Sequence, residues 1–78
     1  MKLITNGPYK AFNYNGVTIL APSWAAWIAV DMDGALYVYD NEPFISGGNE
    51  FWSVEGTPNL LGYVDLEGAD WRKTLMKC

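Results

Sequence analysis

Histidine is absent from this 78-residue sequence, and its single cysteine, Cys78, stands at the last position. Without histidine the usual general base beside a Ser, Thr or Cys nucleophile is missing, and a zinc or copper site has almost no ligands. One thiol excludes an internal disulfide. Charge is scarce too: five Lys and Arg stand against nine Asp and Glu, a net charge of −4. So few cations argue against general binding to DNA or to anionic membranes, which rests on clustered basic side chains. No run approaches the roughly 18 apolar residues of a membrane helix, and no apolar stretch follows Lys2, so a cytoplasmic protein without a membrane partner is expected. The glycines form neither a GxGxxG nor a Walker pattern. No cofactor, no resident metal and no catalytic residue is therefore expected.

Apolar residues are plentiful, at 50% of the chain, and 15% are aromatic, including four tryptophans. A chain this short holds one core, so residues 1–78 are expected to form one domain. Small cores rarely supply more than roughly 3–5 kcal/mol, and disulfides, metals or self-association usually supplement them. Self-association is the supplement left, and a homo-oligomer is expected. The aromatic excess over a sparsely charged surface suits a contact with a partner or another copy; it suits equally a tiny core that uses large residues.

The clearest local signal is Asn15-Gly16, a dipeptide that accepts the positive φ angles of a type I′ hairpin turn. It pairs Tyr14 with Val17 and Phe12 with Ile19, placing these four on one face that is expected to be core. A second hairpin over residues 26–39 turns at Asp31-Met32-Asp33-Gly34. Two registers are open: with Gly34 left-handed after a type I turn, Val30 opposes Leu36, Ile28 opposes Val38, Ala29 opposes Tyr37 and Trp27 opposes Tyr39, whereas a two-residue turn would mix Tyr37 and Tyr39 with Ile28 and Val30; the first is preferred. One face is then aliphatic and the other aromatic. Residues 41–48 read as a loop in which Phe44 and Ile45 need a place. Residues 51–54 and 60–64, separated by Gly56-Thr57-Pro58-Asn59, read as a third hairpin. Asp70 is a good N-cap for a short helix over residues 71–76, with Trp71 and Leu75 on one face. The expected fold is α+β: a twisted antiparallel sheet of five to six strands built from hairpins, crossed by one short C-terminal helix.

Two places carry candidate binding chemistry. Trp71 is followed by Arg72, Lys73 and Thr74, an aromatic platform beside donors suited to phosphate. Trp27, Tyr37 and Tyr39, with Trp24 nearby, form an aromatic face for a ligand, for the terminal helix or for another subunit. Against the first stands a helix whose Trp docks on the sheet while its cations are solvated. Asp31 and Asp33 form a carboxylate pair able to hold a divalent cation, yet two carboxylates around a glycine are what a tight turn selects in any case.

The stretch from Trp24 to Tyr39, followed by Pro43, Trp52 and the run from Gly62 to Leu75, resembles a pattern of small tailed-phage accessory proteins. That resemblance implies a protein that counters host defence in the cytoplasm of the infected bacterial cell. In one implied mechanism it is a sponge that sequesters the cyclic oligonucleotide signal of a CBASS-type system. Its ligand residues would then be Trp71, Arg72, Lys73, Thr74, Trp27, Tyr37, Tyr39 and Trp24, completed by a two-fold interface. In the other it is a stoichiometric inhibitor, comparable to an anti-CRISPR or a nucleic-acid mimic, that covers a host or defence protein with an aromatic, acidic surface. A minor virion component is a third outcome.

Overall fold

A computed structural model describes residues 9–78, apart from the side chain of Phe12. The reading of residues 1–8 and of the Phe12 side chain lies outside that description. The described residues form six strands: β1 (Tyr9–Tyr14), β2 (Val17–Pro22), β3 (Trp27–Val30), β4 (Ala35–Tyr39), β5 (Pro58–Tyr63) and β6 (Met76–Lys77). Strands β1 and β2 form a two-stranded ribbon, and the other four form an antiparallel sheet in the order β5-β4-β3-β6.

Turn chemistry sets both hairpins. Asn15 and Gly16 carry φ of 51° and 84°, and the Asn13 side-chain amide oxygen Oδ1 accepts the Gly16 N–H at 2.8 Å. The ribbon register follows, with Tyr14 opposite Val17 and Phe12 opposite Ile19. Gly34 takes φ of 90°, donates to the Asp31 carbonyl at 2.9 Å, and fixes the Val30–Leu36, Ile28–Val38, Ala29–Tyr37 and Trp27–Tyr39 pairs.

The aliphatic face of β3 and β4 is the centre of the core. Ile28, Val30, Leu36 and Val38 are buried together with Tyr14, Ala21 and Ala25, and Ile19, Leu61, Leu66 and Cys78 pack around them. Each such aliphatic side chain contributes roughly 1.5–3 kcal/mol on burial. The ribbon closes over this face only in part. Tyr14 enters the core, whereas Val17 remains 57% exposed, so the expectation that its whole face would be core is corrected.

Two further corrections concern the second half of the chain. Residues 51–54 form no hairpin with residues 60–64. Strand β5 pairs instead with the free edge of β4, with a register shift between Leu36 and Tyr37, and Ser53 makes only an isolated bridge to Phe44. Residues 40–57 are a long loop closed at its base, where Asn41 Nδ2 donates to the Glu55 carbonyl at 2.8 Å and the Thr57 N–H donates to Asp40 Oδ1 at 2.9 Å.

The C-terminal helix is absent as well, so among the described residues the fold is mostly β rather than α+β. Asp70 does act as an N-cap, accepting the Arg72 N–H, but it caps a single 3-10 turn, Trp71–Lys73. Six residues are too few to offset helix nucleation, while the edge of β3 offers the segment a ladder. Strand β6 takes that edge, with Met76 opposite Ile28 and Lys77 opposite Trp27.

Thr74 joins these parts. Its Oγ1 accepts the Val30 N–H at 2.9 Å and donates to the Trp71 carbonyl at 2.6 Å, while its own carbonyl accepts the Tyr14 hydroxyl at 2.6 Å. Replacing Thr74 by Val keeps the shape and leaves the N–H of fully packed Val30 without an acceptor, which costs about 2 kcal/mol. We expect Thr74→Val to lower Tm by roughly 10 °C, with Thr74→Ser close to the parent. Equal melting of the Val and Ser variants would remove the hydroxyl from the account.

Candidate functional site

The aromatic face of the sheet is where a cleft forms. Tyr37 and Tyr39 stack along β4 with ring centroids 6.2 Å apart. The 40–57 loop folds back over the same end of the hairpin. The Met32 N–H donates to the Glu50 carbonyl at 3.2 Å, the Trp52 N–H to Asp31 Oδ1 at 2.9 Å, and the Trp52 indole Nε1–H to the Val30 carbonyl at 3.1 Å. Between loop and sheet lies an open cleft of about 640 Å³ lined by Asp31, Met32, Asp33, Tyr37, Tyr39, Glu50, Phe51, Trp52 and Pro58. Its charged lining residues are Asp31, Asp33 and Glu50, and none is basic.

Two of the three carboxylates have a structural reason to be there. Asp31 holds the loop through Trp52, and Asp33 Oδ1 accepts the Ala35 N–H at 3.0 Å, an Asx turn that stiffens the hairpin. Burial holds the Asp31 carboxyl above the ordinary carboxylate range, the charge of Asp33 adds to the rise, and the Trp52 N–H offsets part of it. Burial, followed by the nearby Asp31 charge, likewise pushes the Tyr39 phenol up. The cleft thus disfavours further negative charge. Among the described residues no cluster of three or more Asp, Glu or Cys suits a metal ion.

A raised carboxyl has a definite sign in stability. Native Asp31 binds its proton more tightly than the unfolded chain, so its contribution is fully present below the unfolded value of about 3.9 and is lost as pH rises through the native one. Asp31→Asn keeps an oxygen for the Trp52 N–H and removes the charge. The variant is therefore expected to exceed the parent in urea midpoint at pH 7, with the gap closing near pH 3. A gap that is constant with pH would show that the Asp31 charge is not strained.

The eight residues singled out from the sequence do not form one site. Tyr37 and Tyr39 line the cleft; Trp27, next to Tyr39 in register, is half-buried with Lys77 Nζ 6.0 Å from its ring centre. Trp71 meets Trp52 edge to face with centroids 6.2 Å apart, which ties it to the back of the cleft. Trp24 is exposed in the β2–β3 connection. Arg72 turns to Asp70, with Nε 3.1 Å from Oδ1, and holds that carboxyl below its usual range. Lys73 and Thr74 line a different cleft, of about 560 Å³, beside Asp65, Glu67 and Asp70. Arg72 is thereby paired with a carboxylate of its own turn, and Lys73 has three carboxylates around its cleft.

Sequence reasoning missed Met32, Glu50, Phe51, Trp52 and Pro58 as cleft residues, and it met Asp31 and Asp33 as turn residues or a cation-holding carboxylate pair rather than as cleft lining. The available signal was position: both aspartates cap the end of a hairpin whose aromatic face the register already defined. Among the described residues no helix is long and apolar enough to cross a membrane. Comparison with protein-family models, with curated proteins and with solved structures finds no match for this chain.

Proposed function

We propose that this chain is a non-catalytic binding module that engages a protein partner by taking a cationic side chain into the cleft between β4 and the 40–57 loop. The observation that carries this reading is the lining itself: Tyr37, Tyr39, Phe51 and Trp52 supply aromatic surface, Asp31, Asp33 and Glu50 supply negative charge, and no basic residue competes from within. Aromatic faces and carboxylates together favour an Arg, Lys or quaternary ammonium group over an anion. This is the stoichiometric partner of the two mechanisms read from the sequence. The cyclic-nucleotide mechanism draws less support, because Arg72 is held by Asp70 and Lys73 sits among Asp65, Glu67 and Asp70. The absence of histidine and the position of Cys78, whose thiol is pushed up by burial, support a role without nucleophilic chemistry. The resemblance to tailed-phage proteins has no counterpart among the comparisons, and the proposal stands without it.

A two-armed titration tests the reading. N-acetylarginine methylamide and choline form the cationic arm, cyclic di-AMP and cyclic di-GMP the anionic arm, and the readout is the indole N–H resonance of Trp52 with the amides of residues 31–33 and 50–52. The cationic arm should move these signals, less so in high salt and less so in an Asp31→Asn, Glu50→Gln variant. Movement by the cyclic dinucleotides alone would overturn the proposal and return the sponge to first place.

A further inference from the structure

The sheet ends on two unlike edges. On one side β6 is short and carries Lys77, which sits over the Trp27 ring. On the other, β5 is a six-residue strand, Pro58-Asn59-Leu60-Leu61-Gly62-Tyr63, with no charged side chain, and no further described strand pairs with it. Natural edges of this length are usually blunted by charge, because their free N–H and C=O groups invite another strand. Only Pro58 at the first position and the register shift beyond Leu60 interrupt the ladder.

The exposed side chains of this edge lie on the cleft side. Pro58, Leu60 and Tyr63 oppose Tyr39, Tyr37 and Ala35, so all three share the aromatic face. Leu60 is 45% exposed and Tyr63 71% exposed, and Pro58 itself lines the cleft. An apolar row thus continues the cleft out to an open strand edge. A strand added there would run about 4.8 Å beyond β5. A long side chain on its inner face would then pass over Leu60 and Pro58 toward the carboxylates.

We propose that β5 is a docking edge for an extended segment of the partner, which adds as a strand and places one Arg or Lys in the acidic aromatic cleft. The inference rests on the cation-binding reading of the cleft and specifies the form of the ligand: main-chain pairing supplies affinity and the cleft supplies specificity. Charge selects this occupant. A second copy of the chain, at net charge −4, would bring its own carboxylates, whereas a basic strand is complementary.

The test compares three probes on the full chain: N-acetylarginine methylamide, the blocked pentapeptide Thr-Val-Arg-Val-Thr, and the same peptide N-methylated at alternate amides in either phase. The pentapeptide should bind at least tenfold more tightly than arginine methylamide, protect β5 amides from exchange, and lose that advantage in one N-methylation phase only. If arginine methylamide binds and the pentapeptide gains nothing, or if both N-methylated forms bind like the parent peptide, strand addition is overturned while the cleft reading survives. If no probe binds, both fall together. A dimer in sedimentation that Tyr63→Lys dissociates assigns the edge to a second copy and also overturns the proposal.

Discussion

Replacing Gly34 by Ala should unfold a large part of the population at room temperature. The residue sits at φ of 90°, which L side chains adopt at a cost of about 1–3 kcal/mol. A Cβ there would also run into the Val64 carbonyl oxygen. That oxygen has little freedom to yield, because the Val64 N–H donates to the Gly34 carbonyl at 2.8 Å and locks the two backbones together. The combined loss is on the order of 3–4 kcal/mol, comparable with the whole stability of a domain this small. Urea unfolding followed by tryptophan fluorescence measures it. A loss below about 1 kcal/mol would mean that the turn shifts register, and with it that the aromatic and aliphatic faces of β4 are not fixed by Gly34.

Trp52→Ala should cost about 3 kcal/mol, toward the low end for a large aromatic because the side chain is only half-buried. Three things are lost at once: the indole bond to the Val30 carbonyl, the edge contact with Trp71, and one wall of the cleft. Trp52→Phe separates them. It keeps a ring and loses the N–H, for about 1 kcal/mol. Calorimetric melting of both variants, together with the arginine methylamide titration, reads stability and binding side by side. If the Ala variant melts with the parent, residues 40–57 are held by their own base rather than by Trp52, and the cleft has no fixed wall.

The first two hairpins were legible in the sequence because their turns are chemically explicit. Asn15-Gly16 and Gly34 each state a backbone conformation, and once the conformation is known the register of every paired residue follows. The aromatic face was legible for the same reason. What escaped was long-range. Residues 51–54 look like a strand locally, yet their backbone is recruited by Asp31 and Phe44, partners that no local pattern announces. Asp70 was read correctly as a cap; the helix stops after one turn because Thr74 is bonded to Val30, 44 positions earlier. Half of the cleft was hidden in a similar way. Asp31 and Asp33 explain themselves as turn residues, and Glu50 reaches them only through the loop.

Thr74 also orders the assembly of the chain in time. Each hairpin closes a loop of a few residues, whereas the bonds from Thr74 to Val30 and from Tyr14 to Thr74 close separations of 44 and 60 residues. Longer closures carry the greater entropic penalty, so the segment from Asp70 onward is expected to dock after the hairpins and to detach before them. Detachment removes β6 from one side of β3 and leaves Trp27–Val30 with an open, strongly apolar edge. An open strand edge of that kind invites pairing with another strand, so the bonds made by Thr74 are also what keeps the sheet from aggregating.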